Sequence, residues 1–471
     1  MGENARGTPL YSQPVSHSPS LEGAPVVVVG AGFAGASAAF YLAESGRCVC
    51  LLEAGWFPGG RARSFPEPRS GRELDWGPHL FMTANPALRD FLGRIGASSR
   101  LRFGSSLDLT YRLADRAAPG GVRLARLQFP KRGGALAGAW ALIRWRGPGP
   151  AARLSIARGL TRILRDRHNF EGETVGRMLA RLGQGASERK WFWEPFSRAV
   201  LNLPMEEGSG VLFRRVVKEA FGAGLAGAAL GAPEFPMRSF WGDRACEEIR
   251  RLGGRVRMAS PVRRMRIEGG AVRGVVLSGG EFIEASCVIA AVPPTAVLGM
   301  LPEDLRMKSP WHGLSHLRSS PIATAYLWLD QPTPGPPFEA LVNEPWQWFF
   351  RPGLYRGSAE EPVALLCGGE DTIASLSREE LASAARETVS RVLPGAAIGR
   401  VLVVRERAAT WAGGADEQAF RPTAETPVPG LILAGDWTAT GLPATCEGAV
   451  RSGRRAAEVV LEAENALKER I

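Results

Sequence analysis

A glycine-rich segment near the N-terminus has the residue types and spacing of a turn that binds a nucleotide. Four consecutive valines lead into Gly30, Gly32 and Gly35, which form a G-x-G-x-x-G pattern that encloses Phe33 and Ala34. The first glycine permits a tight turn, the second lets the backbone approach a pyrophosphate, and the third lets a helix pack close to the preceding strand. The segment therefore predicts a strand, a phosphate-binding turn and a helix whose first residues contact the phosphates.

A carboxylate stands at the distance at which such folds bind a ribose. Glu53 follows Gly30 by 23 residues and ends a second predicted strand at 48–52. An acidic side chain there accepts hydrogen bonds from both ribose hydroxyls and repels a 2′-phosphate, so NADP is disfavoured. A second G-x-G-x-x-G match at 222–227 follows a helix-like segment, and no strand ending in an acid comes after it. We therefore expect 222–227 to be a glycine-rich loop.

A distant C-terminal segment decides between FAD and NAD. A predicted buried strand leads to Gly435 and Asp436, and a helix is predicted to begin around Cys446. Nicotinamide dehydrogenases need no such closing segment. In flavoproteins of the glutathione-reductase type the acid meets the ribityl-phosphate region, and the positive N-terminus of the next helix points at the flavin pyrimidine ring. The expected cofactor is therefore FAD. Its other predicted contacts are Ala54, Gly60, Arg61, Gly77, Pro78, His79, Thr445 and, at the adenine, the backbone of Val262.

The elements that position these residues indicate an α/β fold with two parts. We predict a glutathione-reductase-type FAD-binding Rossmann domain assembled from 25–92, 245–295 and 400–471. The second part would be a mixed-sheet plus helical substrate domain. It would consist of a helical cap or substrate region at 93–244 and a substrate-binding sheet region at 296–399.

The composition limits the other classes of function. Residues 1–24 are polar, turn-forming and without the order of a secretory signal, so we expect a disordered tail. The formal net charge of +11 suits a polyanion or an anionic lipid surface, or it reflects a GC-rich genome that favours arginine codons. No recognition module for nucleic acid is visible, so we do not expect that partner. The six cysteines have neither C-x-x-C spacing nor a histidine at ligand spacing. We therefore expect a cytoplasmic protein without a metal.

One predicted helix is a candidate for peripheral contact with the inner face of a membrane. Its apolar face would carry Ile156, Leu160, Ile163 and Leu164. Three arginines of the same segment lie largely off that face, and a basic amphipathic helix of this kind can lie on an anionic membrane. The alternative is an ordinary helix of a substrate cap, and the two interpretations are compatible.

Three side chains are candidates for catalysis. Glu194 stands among aromatic residues that include Trp191 and Trp193, where an apolar pocket would raise the pKa of its carboxyl group and stabilise a cation. The alternative is that this segment is core and that Glu194 is a cap or part of an ion pair. His79 is a candidate general acid or flavin contact. Glu447 is expected to serve the C-terminal helix and the flavin rather than the substrate.

Together, these segments resemble a known enzyme superfamily. The residues GAGFAG, Glu53, GGRARSF, LDWGPHL and GDWTATGLPATCEGAVRSGRRAA look like the FAD-dependent amine oxidase and phytoene desaturase superfamily. Within it, WEPFSRAVLNLPMEEGS and the GDW segment are similar to the hydroxysqualene dehydroxylase family of bacterial hopanoid pathways. The resemblance implies an apolar isoprenoid substrate, protonation of its hydroxyl oxygen and hydride transfer from reduced flavin. The electron donor is not identifiable from the sequence.

Two other functions stay open at this point. One is an oxidase or desaturase of the same fold that acts on a carotenoid, a porphyrinogen or an amine. The other is a flavin-binding protein without turnover that serves as a membrane-bound assembly partner. The intact Glu53, Asp436 and terminal helix argue against the second of these.

Overall fold

The structure is a computed structural model of the chain. It describes residues 23–129, 134–165, 168, 170–222, 224–358, 360–369, 373 and 375–468. The predicted tail at 1–24 lies outside the described residues except for its last two. No helix in the described ranges is long and apolar enough to cross a membrane.

The helices and strands of the described residues are numbered in chain order. The helices are α1 (Phe33–Glu44), α2 (Pro86–Arg94), α3 (Gly134–Arg144), α4 (Pro150–Arg165), α5 (Val175–Arg181), α6 (Ala186–Glu188), α7 (Glu194–Leu201), α8 (Gly210–Gly222), α9 (Asp243–Arg251), α10 (Pro294–Met300), α11 (Glu303–Arg306), α12 (Pro352–Arg356), α13 (Arg378–Val392) and α14 (Cys446–Lys468). The strands are β1 (Val26–Val29), β2 (Val49–Leu52), β3 (Ser64–Pro66), β4 (Glu73–Asp75), β5 (Phe81–Met82), β6 (Leu101–Phe103), β7 (Asp108–Ala114), β8 (Val122–Gln128), β9 (Leu230–Pro233), β10 (Arg255–Arg257), β11 (Val262–Glu268), β12 (Ala271–Leu277), β13 (Phe282–Glu284), β14 (Cys287–Ala290), β15 (Ser319–Leu329), β16 (Phe338–Val342), β17 (Trp348–Phe350), β18 (Val363–Gly368), β19 (Ile398–Trp411) and β20 (Leu431–Leu433).

A five-stranded parallel sheet carries the dinucleotide fold. Its strand order is β10-β2-β1-β14-β20, and every neighbouring pair runs parallel. Every residue of β1, β14 and β20 is buried, as expected for strands covered on both faces. Because β14 and β20 come from distant parts of the chain, the sheet is complete only when these segments pair beside β1. The predicted α/β fold is therefore confirmed.

The helices α1 and α14 pack against each other at very short range. A Cβ atom on Gly453 of α14 would overlap the carbonyl oxygen of Ala34 and the hydroxyl of Ser37 in α1. The buried face of α1 is also built largely of alanine. A larger side chain at Gly453 would force the two helices apart, so this glycine sets their distance.

A seven-stranded mixed sheet forms the centre of the substrate domain. Its order is β19-β15-β18-β17-β16-β7-β8, and within it only β16 and β7 pair in parallel. Helix α13 covers one face, where Leu381, Ala385 and Val389 lie in one buried cluster with Ala323 and Ala325 of β15. A capping box starts this helix, since the side chains of the N-cap serine and of the glutamate three residues later bind each other's backbone N–H groups.

The structure differs from the predicted domain organisation in two places. The segment 93–244 is predicted as a helical cap or substrate region, but β7 and β8 within it extend the seven-stranded sheet. The predicted FAD-binding segment 400–471 begins inside β19, which pairs with β15 of the same sheet. The chain therefore returns to the Rossmann domain only after Trp411. Both errors have one physical cause: pairing with strands far away in sequence decides which sheet these residues join.

A buried ionic network fastens this sheet internally. Glu339 of β16 is fully buried, and its carboxylate accepts hydrogen bonds from Arg112 Nε (2.9 Å) and Nη2 (3.0 Å) and from Arg351 Nη1 (2.8 Å). Both arginines are buried as well. Removing the one anion would leave two desolvated cations without compensation.

We expect Glu339→Gln to lower the free energy of unfolding of the substrate domain by roughly 3 kcal/mol, because both guanidinium groups stay buried next to a neutral amide. Calorimetry or urea denaturation measures the loss. The control is Glu268→Gln, which removes the exposed partner of Arg266 and should cost less than about 1 kcal/mol. Equal losses for the two variants would contradict the role given to the network.

Candidate functional site

The glycine-rich turn has the close backbone approaches that its sequence predicts. Gly30 has a φ of 102°, and a Cβ atom on it would lie 2.6 Å from the carbonyl oxygen of Ala291. A Cβ atom on Gly35 would overlap the carbonyl oxygen of Gly30. Gly32 is the N-cap of α1 and supplies no side-chain cap. The first N–H groups of α1, which begins with Phe33, are therefore available to an anion.

Glu53 fastens the turn from the end of β2. Its Oε2 accepts the N–H of Ala31 at 2.8 Å, and its Oε1 accepts the N–H of Gly55 at 2.8 Å. The exposed Ala54 lies between these contacts. The backbone carbonyl oxygen of Glu53 accepts the N–H of Ser260 at 2.8 Å, which brings the start of β11 at Val262 towards the same edge. A carboxylate oxygen has lone pairs left for a ribose hydroxyl after one such contact.

The second glycine pair and the C-terminal acid meet at the turn. A Cβ atom on Gly60 would lie 3.0 Å from Cα of Gly32. The next residue, Arg61, donates from Nη2 to Oδ1 of the buried Asp436 at 2.6 Å. Segments 375 residues apart in the sequence therefore join at one ion pair. The structure thus brings Gly60 close to Gly32 of the turn and Arg61 into contact with Asp436 of the C-terminal segment.

Helix α14 begins beside the closing segment. Oγ1 of Thr445 accepts the N–H of Gly448 at 3.0 Å and caps the first turn. The N–H of Gly435 donates to Oγ of Ser452 at 2.8 Å, one turn further along α14. The loop that carries Asp436 is therefore tied to the positive end of this helix.

Arg421 is a site residue that the sequence reasoning misses. Its buried guanidinium donates to the carbonyl oxygens of Asp436 (2.9 Å), Trp437 (3.3 Å) and Thr438, and it lies 4.3 Å from the ring centroid of Trp411. Burial lowers the pKa of Arg421 to about 10, against the opposing effect of Asp436, so the side chain stays cationic at pH 7. No motif marks Arg421, because its contacts are to backbone atoms whose position the sequence does not show.

The Gly77-Pro78-His79 turn lies where the Rossmann domain meets the substrate sheet. A Cβ atom on Gly77 would lie 3.1 Å from Oγ1 of Thr324. That hydroxyl is buried and has no hydrogen-bond partner among the described residues. Nδ1 of His79 lies 2.7 Å from the carbonyl oxygen of Gly77, so we assign the ring proton to Nδ1. Burial lowers the pKa of His79 and leaves a neutral imidazole. Its Nε2 atom can therefore accept a hydrogen bond.

Glu447, a candidate that the sequence assigns to the C-terminal helix rather than to the substrate, makes structural contacts. Its buried carboxylate accepts the N–H groups of Ala87 (3.2 Å) and Leu88 (2.8 Å), at the N-terminus of α2. It also accepts from Nε of Arg451 at 2.6 Å. Both carboxylate oxygens are used to tie α14 to α2, so Glu447 is a structural cap.

Of the two interpretations of Glu194, the structure supports the ion pair rather than the desolvated acid. The Glu194 side chain is 43% exposed and pairs with Arg198 one helical turn later, at 3.1 Å. Trp191 and Trp193 are buried in the core, and the indole N–H of Trp193 donates to Gln184 at 2.7 Å. The aromatic side chains therefore point away from Glu194 into packing contacts, and solvent reaches the carboxylate.

These groups match the parts of FAD. The unpartnered start of α1 and the bare backbone of the glycine turn could hold the pyrophosphate, and Glu53 could hold the adenosine ribose. Asp436 and the start of α14 could hold the ribityl chain and the flavin ring. Within the described ranges, no group of three or more His, Cys, Asp or Glu residues is placed to hold a metal ion.

Comparison with known proteins gives four informative matches. A family model described as flavin containing amine oxidoreductase matches residues 33–461. The chain is 29% identical over 454 residues to hydroxysqualene dehydroxylase of Rhodopseudomonas palustris, covering 93% of this chain and 98% of that protein. It is 25% identical over 478 residues to 15-cis-phytoene desaturase of an Oncidium hybrid cultivar, covering 93% and 78%. A solved oxidoreductase from Methanosarcina mazei matches with a TM-score of 0.73 at 18% identity, covering 92% of this chain and 100% of that one.

The family match extends from the first helix of the Rossmann fold to the last helix of the chain. It agrees with the convergence of the glycine turn, Glu53 and Asp436 at one site. The predicted cofactor, FAD, is confirmed. The chain belongs to the family of flavin-containing amine oxidoreductases and is an FAD-dependent oxidoreductase.

Proposed function

We propose that this enzyme removes the hydroxyl group of hydroxysqualene reductively and releases squalene. The observation that carries the proposal is the similarity to three relatives that are named hydroxysqualene dehydroxylase. They are 26% to 29% identical and the alignments cover 92% or 93% of this chain and 98% or 99% of those proteins. Agreement in length over both domains favours the same substrate class, an apolar isoprenoid.

Carotenoid desaturation is the second candidate function. The comparisons support it less strongly than dehydroxylation, because identity and coverage are lower. The relatives named 15-cis-phytoene desaturase are 23% to 25% identical. The alignments cover only 77% to 80% of their lengths. Those proteins therefore carry additional segments that this chain does not align with.

We propose that FAD lies between the glycine turn and the start of α14. In this arrangement Gly30, Gly32, Phe33, Ala34 and Gly35 hold the pyrophosphate, and Glu53 holds the adenosine ribose. Arg61 and Asp436 lie at the ribityl chain. The remaining proposed contacts are Ala54, Gly60, Gly77, Pro78, His79, Val262, Gly435 and Thr445.

The reaction replaces a C–O bond by a C–H bond, so it consumes one hydride and one proton and releases water. When bound and reduced, FAD supplies the hydride. The chain must exclude water from the reacting carbon, and the apolar side chain of Leu366 in β18 lies beside Gly77, one of the proposed flavin contacts. Because His79 is neutral with Nε2 as an acceptor, we propose that it orients a bound donor group rather than protonating the substrate.

We expect Glu53→Gln to weaken FAD binding by about tenfold to a hundredfold, because an amide replaces a carboxylate in charge-assisted hydrogen bonds. Titration of apoprotein with FAD, followed by flavin fluorescence, measures the change. Glu44→Gln on the exposed end of α1 is the matched control and should bind FAD normally. Equal affinities for the wild type and Glu53→Gln would show that the ribose is held elsewhere.

Anaerobic incubation of the reduced enzyme with hydroxysqualene should yield squalene in the stoichiometry of the bound flavin, as measured by gas chromatography with mass detection. A parallel reaction offers phytoene to the oxidised enzyme with an electron acceptor. Desaturated carotenoid in the second reaction, without squalene in the first, would overturn the dehydroxylase proposal in favour of the desaturase.

A further inference from the structure

The positive charge of the chain is concentrated in one stretch. From Arg116 to Arg165 the sequence contains eleven arginine or lysine residues and no aspartate or glutamate. The resulting net charge of +11 equals the formal net charge of the whole chain, so the remaining residues are neutral in sum. A general preference for arginine codons would not exclude acids from fifty consecutive positions, so it does not explain this concentration.

The described part of this stretch brings α3, α4 and β8 into contact. The helices α3 and α4 form a hairpin next to β8. Arg153 of α4 donates to the carbonyl oxygen of Ile143 at the end of α3. Arg123 of β8 donates to the carbonyl oxygens of Arg146 and, at 3.1 Å, Gly147 in the connecting turn. These contacts hold the hairpin and the strand in a fixed relation.

Large apolar side chains stand exposed on this hairpin. The exposed fractions are 58% for Trp140, 59% for Ile143 and 53% for Leu154. Arg144 and Arg146 are exposed beside them, and the guanidinium of Arg144 lies 5.9 Å from the Trp140 ring centroid. We call these five residues the α3–α4 surface.

The helix face predicted from the sequence for membrane contact is not this surface. Ile156 and Ile163 of α4 are fully buried, and Leu160 and Leu164 are partly buried against the same core cluster. That face is therefore occupied by packing within the protein. The exposed apolar residues lie on α3 and at the start of α4.

We propose that the α3–α4 surface binds the anionic face of a lipid bilayer. Tryptophan is enriched at membrane interfaces, and exposed apolar side chains gain free energy by leaving water there. Arginines beside them are attracted to anionic headgroups. Nucleic acid shares the negative charge, but the aliphatic side chains of Ile143 and Leu154 offer no stacking face for bases.

Beneath this surface, aromatic side chains form a series of contacts that leads into the substrate domain. The ring centroids of Trp145 and Phe192 are 6.4 Å apart, and those of Phe192 and Phe196 are 6.2 Å apart. The hairpin is thus anchored in the apolar interior of the substrate domain. If the proposed function holds, the bilayer is also the phase in which an apolar isoprenoid substrate is dissolved.

Flotation of the FAD-loaded protein with vesicles tests the proposal. We expect binding to vesicles of phosphatidylcholine mixed with phosphatidylglycerol to exceed binding to phosphatidylcholine alone by at least about tenfold, and to fall as salt is added. The double variants Trp140→Ser with Ile143→Ser and Arg144→Glu with Arg146→Glu should each weaken binding by about tenfold or more.

Two matched control variants carry the same kinds of substitution at exposed residues outside the α3–α4 surface. Met307→Ser with Leu354→Ser removes two exposed apolar side chains, and Arg250→Glu with Arg251→Glu reverses two exposed arginines. Both should bind vesicles within about twofold of the wild type. FAD content and thermal unfolding of every variant establish that it is folded.

Three results would overturn the proposal: equal binding to both kinds of vesicle, equal losses in the control variants, or tighter binding to a single-stranded oligonucleotide than to anionic vesicles at the same salt. Vesicle binding is measured without substrate, so its outcome is independent of the dehydroxylase assay. With substrate dispersed in detergent, turnover by the surface variants should equal that of the wild type.

Discussion

The close approach of backbone segments around the glycine turn is the constraint on which the rest of the structure depends. At Gly30 and Gly35 the strand, the turn and the first helix come so near that a single Cβ atom would collide with a carbonyl oxygen. Gly453, near the other end of the chain, is in the same situation: where α14 packs against α1, a Cβ atom on it would collide with the carbonyl oxygen of Ala34. A side chain at any of these positions would destabilise the fold through steric overlap. It would also displace the start of α1, whose N–H groups are open to an anion. The packing of α1 on the Rossmann sheet and the space left for a pyrophosphate depend on these close contacts.

The ion pair between Arg61 and Asp436 shows why the sequence predicts this site well. Each residue belongs to a short motif with its own local signal, and each motif follows a strand or turn that can be recognised from residue types alone. Parallel strands place their carboxyl ends at one edge of the sheet, so both motifs are directed to the same edge. The pairing of β14 with β20 then brings the segments together without further information.

Other parts of the site depend on contacts that have no local signal. Arg421 binds three successive carbonyl oxygens, and only the folded loop reveals that they converge. The buried acid Glu447 stands within a strong motif, yet the structure uses it to cap α2, because the N–H groups at a helix start require an acceptor. The sequence also predicts helices where β7 lies and places most of β19 in the Rossmann domain, for a related reason. Their residues fit several environments, and pairing over long sequence separation selects one of them.

Positively charged side chains matter at two sites of the molecule, the buried loop around Asp436 and the stretch from Arg116 to Arg165. At the candidate cofactor site, Arg61 donates to the carboxylate of Asp436, and Arg421 donates to the backbone carbonyl oxygen of the same residue, so two cations stand beside one anion. With FAD bound there as proposed, this charge would act over short distances in a low dielectric and would favour an anionic reduced flavin. The charge of the described arginines between Arg116 and Arg165 stands mostly in water, where salt screens it beyond roughly 10 Å. It would therefore contribute little to the flavin and would act on a surface that lies against the protein. In the proposed arrangement, buried arginines thus act on the flavin and exposed arginines act on the lipid surface.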